Sequence, residues 1–265
     1  MSRPRYAFRI HETGAVVLRC ADIARFFVSD RTVYDDFEDP EDAAHQLRFG
    51  LTGVDVLGEL PPGVDMAVDV LDAAGAVMGS YEIWDLRLEH APGNGAAEAT
   101  CWIISLPHAA AAGVWEWWRA RRPDLPGRWA ALPPGEREGW LEVAELCSPW
   151  SATIQPDRVH TVDAVLDGRD VVDLASFFCA LGEAVEGPGG WVGSAFISVA
   201  TILELRAEQT SAPLRVRWTN AEVARRNLTR TVQYGEDGRR FGYLDLAIRM
   251  LRGAGVELTL VDGPG

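Results

Sequence analysis

The chain has 265 residues, with 25 basic side chains, all arginine, against 39 acidic ones, for a formal net charge of −14. At roughly 100–200 residues per domain this is one large domain or two small ones, and an apolar share of 48% excludes a disordered chain. The acidic balance disfavours nucleic acid, whose phosphates need a basic face, and suits a basic protein partner that such a charge would steer in.

The first half reads as α+β. Tyr6 to Ile10 and Ala15 to Cys20 flank Glu12-Thr13-Gly14, a hairpin signal. Asp65 to Leu71 and Ala76 to Leu88 flank a second one, Asp72-Ala73-Ala74-Gly75, and Ala99 to Leu106 is a further strand. These segments predict an antiparallel sheet. Pro107 to Arg122 then opens with Pro at a permitted first helical position. Its Trp115, Trp117 and Trp118 point in different directions on a helix, so they predict packing rather than one stacking platform. Glu136 to Cys147 places Trp140, Leu141, Val143, Ala144 and Cys147 along one helical face.

Composition shifts near the proline-containing stretch Ser148 to Asp157. Residues 1–150 carry 24 acids and 13 arginines, a net of −11; residues 151–265 carry 15 and 12, a net of −3. This predicts an α+β domain over 1–150, of no family read from its residues, and a second domain over 158–263. In the latter, Thr161 to Leu166 is a strand and Val172 to Val185 a helix. Gly187-Pro188-Gly189-Gly190 is a breaker, and Ser194 to Ala207 is a second helix. Leu214 to Trp218 alternates as a strand, Thr219 or Asn220 can cap a helix from Ala221, Phe241 to Leu251 is amphipathic, and Val256 to Val261 returns as a strand. The strands at roughly 162–166, 214–218 and 256–261 are joined by long helical connections, as parallel pairing requires, and one parallel sheet is predicted.

That order resembles the barstar family of ribonuclease inhibitors over residues 161–263. The resemblance is carried by Leu166-Asp167-Gly168, by Leu174 and Phe177, by the loop Gly187 to Trp191 leading into Ser194-Ala195-Phe196, by Pro213 to Asn220, and by Ala254 to Val261. It implies a three-stranded parallel sheet with packed helices. It also implies that the loop and second helix plug a basic ribonuclease, as in an inhibitor or immunity protein. The alternative is a regulatory or scaffold module that keeps the fold without inhibition. With Gly190 on the family's motif glycine, the family's aspartates fall on Ser194 and Ser198, and its late acidic position falls near Met250. No Asp or Glu lies between Gly187 and Ile202.

The candidate partner-binding residues of this domain are therefore Glu186, Trp191, Ser194 and Ser198. Trp191 is either a cap over the core or a partner contact, and Ser194 either a helix N-cap or a contact. In the first domain, Asp35, Asp36, Glu38, Asp39, Glu41 and Asp42 crowd eight residues beside Tyr34 and Phe37. They form either a solvated loop and helix start or an acidic patch facing an Arg/Lys-rich partner.

Nothing points to catalysis. G-x-S-x-G, G-x-x-x-x-G-K-[ST], H-E-x-x-H and G-x-G-x-x-G opening a helix are all missing. Cys20, Cys101, Cys147 and Cys179 form no close pair and read as small buried apolar residues, and the five histidines stand alone, so neither metal nor cofactor is expected. The longest apolar run, Val192 to Leu203, falls short of the roughly 20 residues that span a bilayer, and the opening residues lack a signal-peptide core. A cytoplasmic protein is the expectation.

Overall fold

The computed structural model describes residues 3–30, 44–89, 95–148, 161–210, 212–233 and 239–263. It is mixed α/β, with one large antiparallel sheet and one small parallel one. The chain divides into two compact units after Arg122, the second taking in Pro123 onward. The helix at 137–146, which the composition shift groups with the first half, packs on a helix of the second unit.

The first unit contains β1 (Tyr6–Ile10), β2 (Val16–Cys20), β3 (Asp22–Ala24), β4 (His45–Thr52), β5 (Asp55–Val56), β6 (Asp65–Leu71), β7 (Val77–Glu89), β8 (Ala96–Ile103) and helix α1 (Ala111–Ala120). The eight strands lie in the order β3-β4-β8-β7-β6-β1-β2-β5, every pair antiparallel. Both predicted hairpins form. Alternation decides which face is dry: Leu47, Phe49 and Leu51 of β4 are buried while Gln46, Arg48 and Thr52 between them are exposed.

The inner face is aromatic. Phe8 stacks on Phe49 with centroids 6.3 Å apart, and Phe26 meets Phe49 and Tyr81 edge-on at 5.4 Å each. Trp115 of α1 donates its indole N–H to the Tyr81 hydroxyl at 2.8 Å, which satisfies a buried donor. Trp115 and Trp118 are buried, whereas Trp117 is 48% exposed, because a 3.6-residue turn cannot aim all three inward.

The second unit contains a 3-10 turn at Arg128–Ala131, α2 (Arg137–Leu146), β9 (Asp163–Asp167), α3 (Leu174–Glu186), α4 (Phe196–Glu208), β10 (Arg215–Thr219), α5 (Ala221–Asn227), β11 (Thr231–Gln233), β12 (Arg240–Gly242), α6 (Tyr243–Gly253) and β13 (Glu257–Leu260). β10 is central, with β9 and β13 parallel to it on either side. β11 and β12 form a separate antiparallel hairpin that is not among the predicted elements, and β12 takes Phe241 and Gly242 from the start of the predicted helix.

Asp173 caps α3. Its carboxylate accepts from Ser176 N at 2.7 Å, and the Ser176 hydroxyl accepts in return from Asp173 N at 2.9 Å. The fully buried Trp218 of β10 stacks on Phe177 of α3 at 5.3 Å. Asn220 stands at the N-cap of α5 as expected, but its side chain does not cap. With φ of +52° it instead donates to Asp167 Oδ1 at 2.8 Å, tying β10 to β9.

The turn after β9 leaves no room for a side chain. A Cβ on Gly168 would stand 2.5 Å from the Trp218 indole nitrogen and 2.7 Å from the Thr219 carbonyl oxygen. Gly168→Ala is expected to destabilise the protein by about 1–3 kcal/mol, the usual range for overpacking, read as a lowered midpoint in urea. An unchanged midpoint would contradict this packing.

Candidate functional site

The segment running from α3 through residues 187–195 into α4 is the candidate partner-binding site. Its shape follows from two close approaches. A Cβ on Gly182 would meet the carbonyl oxygen of Gly190, and one on Gly190 would stand 2.5 Å from the Glu186 Cβ. Glycine at both places lets the loop fold back onto α3.

A buried carboxylate then fastens the loop. Glu183 accepts from Gly189 N at 2.9 Å, from Gly127 N at 2.6 Å and from the Trp129 indole at 3.0 Å. Burial pushes the Glu183 carboxyl above its ordinary range, and the three donors draw it partly back. At the far end of the loop, Ser194 hydrogen-bonds the Glu145 carboxylate of α2. Burial raises that carboxyl from 4.5 to about 6, against the opposing pull of Ser194.

The four predicted residues of this unit are all engaged within the domain. Trp191 is 6% exposed and lies in the core. Ser194 is buried and is not the cap of α4; Ala195 occupies the N-cap position, with extended φ and ψ, and offers no side-chain acceptor. Ser198 at the third helical position does the work instead. Its hydroxyl accepts from Ala195 N at 3.0 Å and Ser194 N at 3.2 Å and donates to Ala195 O at 2.9 Å. The Glu186 carboxylate sits 3.8 Å from Arg206 Nε, both side chains nearly inaccessible. Arg206 also donates to the Thr161 carbonyl oxygen.

What the segment presents to solvent is different. Ile197, in the first turn of α4, is 72% exposed, and Thr201 and Glu204 follow it on the exposed surface. Sequence reasoning missed both Ile197 and Glu183. A lone acid in the otherwise apolar run Leu174 to Val185 is a usable signal for Glu183, since an ionisable group in a buried helix needs partners. Asp35, Asp36, Glu38, Asp39, Glu41 and Asp42 lie outside the described residues.

No group of three or more His, Cys, Asp or Glu among the described residues is placed to hold a metal ion. Cys20, Cys101 and Cys179 are buried, and burial raises their thiols, those of Cys20 and Cys101 to about 12. Among the described residues no helix is long and apolar enough to cross a membrane. Comparison with family models, curated proteins and solved structures finds no match to this chain.

Glu183→Ala is expected to cost about 1–3 kcal/mol, because it removes the acceptor of three donors, the buried Trp129 indole among them, and urea unfolding measures it. The Glu145 proton gives a second expectation. Its carboxyl lies at about 6 in the fold against an ordinary 4.5, so the folded state holds that proton more tightly than the unfolded chain. The resulting stabilisation is full below about pH 4.5 and is lost as pH rises through about 6, on the order of 1–2 kcal/mol. Glu145→Gln should remove that part of the pH slope; a slope identical to that of the parent protein would refute it.

Proposed function

We propose that this chain is an intracellular protein-binding protein whose second unit is a barstar-like domain, acting as an inhibitor or immunity protein against a basic ribonuclease or related toxin. The observation that supports this reading is the parallel order β13-β10-β9, with α3, the glycine-rich loop and α4 following the first strand, the arrangement that the resemblance in residues 161–263 implies. The reading assigns no catalysis, metal or cofactor to the chain, and it places the protein in the cytoplasm.

Electrostatic recognition falls to the acidic residues 35–42 in this reading. A ribonuclease site is basic because it binds phosphate, so its inhibitor needs carboxylates. The loop and helix 187–202 hold none, and Glu186 is turned inward onto Arg206. The acidic residues 35–42 supply the charge, and Ile197 supplies an apolar anchor.

A second reading is an interaction module that keeps the fold without inhibiting a ribonuclease. The exposed Ile197, where an acidic contact would serve a basic active site, favours it.

The two part on one experiment: RNA cleavage by a small basic ribonuclease, titrated with this protein at low and high salt. Inhibition is the expected outcome. Changing Asp35, Asp36, Glu38 and Asp39 together to Asn or Gln should slow association by about tenfold at low salt, with a smaller effect at high salt. Ile197→Asp should weaken binding by about tenfold or more without lowering stability. Full cleavage at saturating, folded protein would overturn the inhibitor reading and leave the second.

A further inference from the structure

The solvent face of the first unit's sheet is built unlike a merely wetted surface. Across β4, β8 and β7 the register sets outward side chains in rows. Gln46, Trp102 and Trp84 form the first row, Arg48, Thr100 and Arg87 the second, and Gly50, Glu98 and Glu89 the third. Thr52 opposite Ala96 closes the series. Six residues along a strand make a track of about 20 Å.

One of the sheet's three irregularities falls on this face. β7 slips register between Trp84 and Arg87, a bulge of the kind that re-aims side chains. Within the bulge Asp85 takes φ of +50°, and its carboxylate accepts from Gly63 N at 3.1 Å and from Arg87 Nη2 at 2.7 Å. At the opposite border Arg25 takes φ of +64° and binds both Glu98 oxygens, at 2.8 and 2.7 Å. Of the three described non-glycine residues with positive φ, two thus border this face. Left-handed backbone at non-glycine residues collects where geometry serves a site.

Two hollows lie on the track. One, of about 200 Å³, is lined by Gln46, Asp85, Arg87, Thr100 and Trp102. The other, of about 710 Å³, lies over Arg25, Arg48, Gly50 and Glu98, where small residues leave space.

We infer that this face binds a neutral oligosaccharide. The charges decide the class. Arg25, Arg48 and Arg87 are matched by Asp85, Glu89 and Glu98, with Arg48 3.0 Å from Glu89. Among the described residues of these rows the charges balance, leaving no net charge to attract a polyanion or a basic peptide. What it offers is planar hydrogen-bonding groups held rigid by one another, and two half-buried indoles. A pyranose presents the complement: adjacent hydroxyls for amide, carboxylate and guanidinium edges, and apolar C–H faces for the flat side of an indole. An extended peptide would be recognised by a strand edge, whereas these groups stand on the face.

The test uses the full chain with linear tetrasaccharides of glucose, mannose and N-acetylglucosamine, by saturation-transfer NMR and calorimetry. At least one should bind. Trp102→Ala should weaken that binding by about tenfold. Gln46→Ala, at an exposed position that the fold does not need, should weaken it several-fold. Trp117→Ala, at an exposed position of α1, should leave it unchanged. Absence of transfer from all three sugars would overturn the inference, and so would binding retained in both folded site variants. A salt-sensitive preference for a sulfated tetrasaccharide would overturn it too.

Discussion

Glu183 is the interaction on which the second unit turns. A carboxylate surrounded by apolar side chains is unfavourable unless its oxygens are occupied. Here one residue gathers an amide from the loop after α3, an amide from the turn at Gly127 and the indole of Trp129. The loop that follows α3 and a turn far upstream in the chain thereby acquire fixed positions around one helix. The neighbouring polar groups repeat the device. Arg137 joins Asp173 at 2.8 Å, tying α2 to the start of α3, and Arg206 reaches both Glu186 and the chain just before β9. Polar contacts specify how these apolar helices meet, while the stacked Phe177 and Trp218 supply the burial.

The two sheets handle their outer faces in opposite ways. The parallel sheet exposes Asp163, Arg215 and Glu257 in one row, with Arg215 paired to Asp163 at 2.6 Å, and Val165, Arg217 and Thr259 in the next. It is regular and lacks a bulge. The antiparallel sheet departs from regularity at three places, one of them on the face that carries tryptophans and hollows. A departure maintained by specific hydrogen bonds is a stronger pointer to a role than a charged surface, which solubility alone explains.

Much of the fold is legible in the sequence. The hairpins around Gly14 and Gly75, and the strands and helices of the second unit apart from β11 and β12, have periodicity bounded by turn residues, and the described elements fall within a few residues of them. Strand β4 is not among the predicted elements. Leu47, Phe49 and Leu51 do alternate, but Gly50 interrupts the run and no turn dipeptide brackets it. The site was less legible. Trp191 and Ser194 carry side chains that suit either a contact or a core, and only long-range packing decides between them. The bond from Gly127 to Glu183 spans 56 residues, and no local pattern encodes it.

The buried cysteines have a practical consequence. A thiol whose pKa is raised to about 12 holds almost no thiolate at neutral pH, and only the thiolate reacts with alkylating reagents. Cys20 and Cys101 lie in the first unit and Cys179 in the second. Each becomes reactive only when its own surroundings open. The chain thus carries built-in clocks in both units, and timed labelling at the three positions would separate the opening of one unit from that of the other without introducing a probe.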